Sequence, residues 1–266
     1  MAPANAPWLD PLRDTMALIG QLSEGADTHW TALADQLAQR RSLTNAAGQS
    51  IRFAAQQLNI KQNYELGIAQ SGIVTCRTQA AGFASAEEQH DWYNALIWLS
   101  FPRCKSYLNQ LQSVAQLSQA ANQDRVGERG ALRDAVTVFD ENALILCHDN
   151  ADIVNAIKLK QWTAALHDAR SQWGRSIRPI IFGHALLQKL DQPFKAITAH
   201  AYVLPINSAD LVDLSLPLCD ERLWLSLQGA ALQTKPFLPL PVMGIPGWSC
   251  ANGDVSFYDD PKIFRV

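Results

Sequence analysis

The stretch HDWYNALIWLSFPRCK, residues 90–105, limits what this chain can fold into more than any other. Ser85 followed three residues later by Glu88 has the form of a capping box, so Ala86 is the expected first residue of a helix. Beyond Asn94 that helix carries apolar residues around its whole circumference, from Ala95 to Leu99. Such a helix has no face to give to water and must be enclosed by other elements. Pro102 should end or kink it. Yet His90, Asp91 and Asn94 fall inside the same helix, where burying polar groups costs free energy unless they are bonded. That conflict marks the segment as the first place to look for function.

With 266 residues, 48% of them hydrophobic and 18% charged, the chain has the material to enclose a buried helix in an ordinary globular core. A single domain over 1–266 is expected, with a helical N-terminal part (1–50), a core (64–265) and a C-terminal strap (235–266). The net charge of −3 gives no electrostatic footprint for nucleic acid or an anionic membrane. Five scattered cysteines with no C-x-x-C pair fit reduced thiols better than a disulfide framework or zinc ribbon. The start, MAPANAPWLDPLRD, lacks the basic region and apolar run of a signal peptide, and no stretch reaches the roughly 18 apolar residues of a membrane span. A cytoplasmic location is expected.

Helical spacing predicts helices over 12–23 and 29–40, and from 105 to about 121. Between Ile51 and Thr78 the pattern weakens into extended or irregular chain, punctuated by Gly67 and Gly72. AVTVFDENALILC (135–147) has two β-prone runs separated by Asp140, Glu141 and Asn142, which predicts a hairpin. An amphipathic helix capped by Asn150 or Asp152, a helix over 179–190, a strand in TAHAYVLPI and a helix over about 209–219 complete the order. The C-terminal stretch from KPFLPLPVMGIPGW onward, dense in proline and glycine, predicts an irregular strap, partly polyproline II. The expected class is therefore α+β, rich in helix, with a helical core, a small antiparallel hairpin or sheet, and that strap.

Several of these segments together resemble one bacterial family, the domain of unknown function 3025. They are YELGIAQSGIVTCR (64–77), HDWYNALIWLSFPRCKSYLN (90–109), RDAVTVFDENALIL (133–146), FGHALLQKL (182–190) followed by TAHAYVL, and the closing LPVMGIPGW and YDDPKIFR. The resemblance implies a common fold and carries no activity. It also implies two departures: the family usually has glutamate where this chain has Gln188, and a Pro-Thr pair before the arginine that is here Arg77.

The residues suited to chemistry are His90, Asp91, Asp134, Glu141 and His184. His90, Asp91 and His184 together would suit a divalent zinc, iron or manganese ion, because neutral imidazole and carboxylate are its natural ligands. Such an ion makes hydroxide from water near neutral pH; without it, a histidine oriented by a carboxylate is a general base. Arg77, Arg133 and Lys189 are candidate anchors for a small anionic substrate, with Arg103 and Lys105 beside the same motifs. The expected function is a hydrolase-like enzyme on that basis. The alternative is a non-catalytic ligand- or protein-binding domain in which the polar groups satisfy the core, for example by an Arg133–Asp91 bridge. No H-E-x-x-H, Walker A, G-x-S-x-G or G-x-G-x-x-G motif decides between them. His29, His148 and His167 read as surface residues.

Overall fold

The computed structural model of this chain describes residues 5–22, 28–56, 64–78, 85–120, 126–229 and 231–265. After a 3₁₀ turn at Pro7–Leu12 come helices α1 (Arg13–Leu22) and α2 (Trp30–Arg40), close to the two expected there. The stretch expected to be irregular is instead a small β–α–β unit. Strand β1 (Arg52–Ala55) and strand β2 (Ile73–Cys76) pair in parallel across helix α3 (Tyr64–Ser71). Gly72 makes the turn into β2 possible: its φ is +73°, and a Cβ there would lie 2.3 Å from the Ser50 carbonyl oxygen.

Helix α4 (Ala86–Ser100) starts where the sequence places it, with the Ser85 side chain accepting from the Glu88 amide at 3.1 Å. Every residue from Trp92 to Ser100 is buried. Glu88 is itself 0% exposed and takes His29 Nε2 at 3.0 Å and Trp30 Nε1 at 3.2 Å, which fastens the start of α2 to α4. Phe101 leaves the helical backbone, and Pro102 opens a new helix, α5 (Pro102–Ala120), where its missing N–H costs nothing. The first amides of α5, from Arg103 and Cys104, are capped by the buried carboxylate of Asp220, at 3.0 Å each.

The predicted hairpin is not formed. Val126–Asn142 is a helix, α6, and only Ala143–His148 is a strand, β3. The β-branched residues of AVTV suggested a strand, but Ala135, Val136 and Phe139 recur at helical spacing and all are buried, so packing overrides propensity. Helix α7 (Ala151–Lys158) is capped by Asn150 as expected. The predicted helix over 179–190 also divides: Ile177–Ile181 is strand β4, and α8 begins only at His184 and runs to Lys189. Strand β5 (Thr198–Pro205) matches its prediction, while the helix expected over 209–219 separates into α9 (Ser208–Val212) and α10 (Leu216–Leu227), the second capped by Ser215. The strap gives its first part, Phe237–Pro241, to the sheet as β6.

The larger sheet has the order β4-β3-β5-β6 and is mixed rather than antiparallel, because β3 and β5 run in parallel. Pro179 lies in one edge strand, and Pro239 and Pro241 in the other. Proline is tolerated at an edge because no further ladder bond is required there. The architecture is α+β and rich in helix, built on one contiguous apolar cluster. Phe101, Phe182, Phe139 and Tyr202 form a chain of ring contacts, with centroids 4.9 to 5.6 Å apart, that ties the α4–α5 junction and α6 to the sheet. Among the described residues no helix is long and apolar enough to cross a membrane.

One close approach positions everything that follows. Gly183, between β4 and α8, sits on the corner where α6 becomes β3, and its amide donates to the Ala143 carbonyl at 2.8 Å. A Cβ on Gly183 would lie 2.6 Å from the backbone of Asn142 and Ala143, so only glycine lets the two corners meet. Gly183→Ala is expected to cost about 1–3 kcal/mol by overpacking. Urea unfolding measures it; an unchanged midpoint would mean that the corners can part without loss.

Candidate functional site

Those two corners and the start of α4 bring three potential ligand atoms together. His184 is the first residue of α8, His90 lies in the second turn of α4, and Glu141 lies in the last turn of α6. Nε2 of His184 is 3.1 Å from Nε2 of His90 and 3.6 Å from Oε2 of Glu141, and one donor atom from each residue falls within 4.8 Å of the others. The His184 side chain is 4% exposed and that of Glu141 33%, so the cluster is closed on one side and open on the other.

Hydrogen bonding places the proton of one ring, that of His90. Gln188 Nε2 donates to the Ala86 carbonyl at 2.6 Å, which turns the Gln188 oxygen towards His90 Nδ1 at 3.2 Å. A carbonyl oxygen only accepts, so His90 carries its proton on Nδ1 and a neutral ring presents a lone pair at Nε2. Burial drives the His184 pKa down to about 3, so this ring is neutral near pH 7. Its Nδ1 is buried without a hydrogen-bond partner, 3.9 Å from Oδ2 of Asp140. With its proton on Nδ1, facing that carboxylate, His184 turns an Nε2 lone pair towards His90 and Glu141; with its proton on Nε2 it donates to the Nε2 lone pair of His90 at 3.1 Å. In the first tautomer three electron-rich atoms face one another.

The acids around them sharpen the conflict. Asp140 and Glu141 stand at the C-terminal end of α6, where the helix dipole disfavours negative charge, and no basic residue lies in that last turn. Burial raises the Glu141 pKa, and repulsion from Asp140 adds to it against the pull of His90, Lys105 and Lys189. Burial also pushes the Asp140 carboxyl up, but Lys105 beside it, together with His184 and His90, more than offsets this and holds it below the usual carboxylate range. Lys105 Nζ lies 2.5 Å from Asp140 Oδ1 and donates to Asn94 Oδ1 at 2.9 Å, while Asn94 Nδ2 donates to the Tyr64 hydroxyl at 2.7 Å. The polar start of α4 is thus explained in two parts: Asn94 belongs to this bonded chain, and His90 faces the open cluster.

Other sequence candidates lie elsewhere. Asp91 receives the Arg77 guanidinium at 2.6 and 2.9 Å, so the bridge anticipated from Arg133 is made by Arg77 instead. Arg133 and Asp134 are exposed on α6, with Asp134 about 10 Å along the helix from Glu141. Lys189 Nζ donates to Asn142 Oδ1 at 2.8 Å, next to the cluster, whereas Arg103 lies 3.8 Å from Glu221. The basic residues therefore do not share one cleft. His148, expected at the surface, is buried at the end of β3, and His29 caps α2.

The sequence reading missed a second polar group. Asn109 Nδ2 donates to Glu65 Oε2 at 2.6 Å, and the Gln112 amide, with its nitrogen towards Glu65, reaches the same carboxylate at 2.6 and 3.0 Å. Its signal was present: Lys105, Asn109 and Gln112 recur at helical spacing on a face of α5 that is otherwise apolar. Burial and repulsion from Asp140 raise the Glu65 pKa to about 7.

Opposed pH dependences follow. Glu65 binds its proton more tightly in the folded protein, so its contribution is lost as pH rises from 4.5 to about 7. His184 binds its proton less tightly when folded, so its contribution is lost as pH falls from 6.5 towards 3. Over pH 4.5 to 6.5 the two oppose each other. Glu65→Gln removes one of them. Relative to the parent protein, its stability should improve by roughly 1–2 kcal/mol between pH 5 and 8, a modest figure because Glu65 keeps some contact with solvent. Denaturant titrations at several pH values would show it, and parallel curves would refute the assignment.

The chain belongs to the family described as "Protein of unknown function (DUF3025)", whose family model matches residues 51–266. No curated protein and no solved structure matches it.

Proposed function

We propose that this member of the family binds a divalent zinc, iron or manganese ion between His90, His184 and Glu141, and that it is a cytoplasmic hydrolase acting on a small anionic substrate. The observation that carries the reading is the convergence of one ligand atom each from two imidazoles and a carboxylate within 4.8 Å of one another. A cation resolves that arrangement. In a tetrahedral site with metal–nitrogen bonds of about 2.0–2.1 Å, two ligating nitrogens lie about 3.3 Å apart; the two Nε2 atoms here are 3.1 Å apart. Three protein ligands leave a coordination position open, as in catalytic rather than structural zinc sites, and a metal held this way lowers the pKa of bound water.

The surrounding residues have roles that fit. Gln188 orients His90 through Nδ1, and Asp140, steadied by Lys105, faces Nδ1 of His184, the outer-shell arrangement that fixes a ligand's tautomer. Lys189, exposed beside Glu141, is the nearest anchor for an anionic substrate. Arg77 is committed to Asp91, which leaves that pair a structural part. The free cysteines suit a reducing compartment, Cys147 and Cys219 in particular, whose sulfurs stand 3.8 Å apart without a bond. The bonded chain from Asp140 through Lys105 to Tyr64 favours a second reading for that part alone, a satisfied core network without catalytic use.

Elemental analysis of protein purified without a metal-affinity tag or chelator tests the first reading. The expected result is near-stoichiometric zinc, iron or manganese that is lost in His90→Ala. Protein that comes metal-free and takes up none of the three in saturable fashion would overturn it.

A further inference from the structure

A large cavity lies away from this cluster. It encloses about 1180 Å³ between α1, the end of α4, β4 and the start of α10, and none of His90, Glu141 or His184 lines it. Leu99 on its wall is about 13 Å along α4 from His90. Much of the wall is apolar, with Leu43, Leu99, Leu218, Ile245, Trp173 and Trp248 among its residues. Volumes of about 300–1,000 Å³ are ordinary for sites that bind small molecules.

Charge distinguishes this cavity from a simple packing defect. Among the described residues three arginines and four carboxylates line it, and most of these are matched. Asp10 binds Arg13 at 2.7 Å, Asp220 caps the first amides of α5, and Glu221 lies 3.8 Å from Arg103. Asp14 is exposed. Arg41, likewise exposed, and the half-buried Arg178 remain. Each is held by Nη1 on helix-terminal carbonyls, Arg41 on Leu99 at the end of α4 (2.7 Å) and Arg178 on Leu211 at the end of α9 (2.9 Å). Among the described residues neither has a carboxylate partner, and their remaining N–H groups are uncommitted. The N-terminus of α10, the positive end of a twelve-residue helix, opens on the same space through Ser215, Leu216 and Pro217.

We infer that this cavity is a second ligand site, independent of the His90–His184 cluster, that takes a small molecule with an apolar body and a carboxylate head bound by Arg41 and Arg178. Anchoring through Nη1 leaves the other edge of each guanidinium for the head, and a fixed guanidinium fork matches a planar carboxylate. The apolar wall supplies the rest of the affinity without direction. The two anchored arginines lose little side-chain freedom when the ligand arrives, which keeps the cost of binding low.

Calorimetric titration of the full chain with decanoate and with 1-decanol tests this. Decanoate should bind in saturable, one-to-one fashion and about tenfold or more tighter than decanol, the order expected of one charge-assisted contact. Arg41→Met combined with Arg178→Met should bring decanoate to the affinity of decanol and leave decanol unchanged, which also reports that the cavity still forms. Should the double variant fail to fold, Leu18→Trp, at a partly exposed position on the wall, serves instead: it fills the space and should weaken both ligands. Absence of saturable binding, equal affinity for the two probes, a decanoate preference that survives the double substitution, or full binding in Leu18→Trp would each overturn the inference. His90→Ala should leave both affinities unchanged, so the fate of the metal proposal does not decide this one.

Discussion

Replacing Lys105 by methionine should lower the folding stability by about 3–5 kcal/mol, the range seen when one member of a buried ion pair is removed. Lys105 and Asp140 keep only 5% and 14% of their side-chain surface exposed, and the ammonium also bonds Asn94 and lies 5.5 Å from the Trp98 ring centroid. Methionine keeps most of the volume and the contact with the tryptophan, so the loss isolates the charge. What remains is a carboxylate at the wrong end of α6, dehydrated and without its cation. The penalty should depend on pH. Burial pushes the Asp140 pKa up and Lys105, with smaller help from His184 and His90, holds it below its usual range, so in the variant burial is opposed less and the carboxyl moves up. Protonation then relieves the buried charge, so the deficit should be largest near pH 8 and shrink as the pH falls. Lys105→Met with Asp140→Asn should cost less than Lys105→Met alone, because the stranded charge is gone. Denaturant unfolding of the two variants against the parent measures all three points; a deficit below about 1 kcal/mol at pH 8 would mean that the pair is solvated and contributes as a surface bridge does.

The residues involved show what the sequence can and cannot reveal. The start of α4 was legible because capping is local: a serine oxygen reaches an amide three residues on, and both are written side by side. The break at Pro102 was legible for the same reason. The end of α6 was not. Asp140, Glu141 and Asn142 look like turn residues, and only the burial of Ala135, Val136 and Phe139 against other elements makes the segment before them helical. Misreading it assigned Asp140 to a turn and hid its contact with Lys105, which is 35 residues away in sequence. His90 and His184 were legible as polar residues in apolar company, but their meeting depends on Gly183, whose significance lies in a backbone contact with Ala143 that no local pattern records. Arg77 and Asp91, 14 residues apart, found each other because β2 ends beside the first turns of α4.

Zinc added to the metal-free protein should raise its thermal midpoint, and His90→Ala and His184→Ala should each abolish that rise. Binding to the folded state alone stabilises by about 2.7 kcal/mol when the free metal is a hundredfold above its dissociation constant. The effect should be graded by position. Loss of either imidazole leaves two ligands and should cost on the order of a hundredfold or more in affinity, whereas Gln188→Ala leaves all three ligands and removes only the group that orients His90, for which about 10–100-fold is expected. The two histidines should differ without zinc. His184 is 3% exposed, so its truncation leaves a cavity and lowers the metal-free midpoint, while His90 is partly exposed and its truncation should lower it less. Binding should also weaken as pH falls, because Glu141, whose pKa burial raises, must be ionised to act as a ligand. His184 does not contribute to that competition near pH 7, since its nitrogen is already unprotonated there. Differential scanning calorimetry with and without zinc, at pH 6 and pH 8, separates these terms. If zinc stabilises His90→Ala and His184→Ala as much as the parent protein, the metal sits elsewhere; if it stabilises none of them, the facing lone pairs share a proton, with Glu141 as its donor, and the cluster is an acid–base pair rather than a metal site.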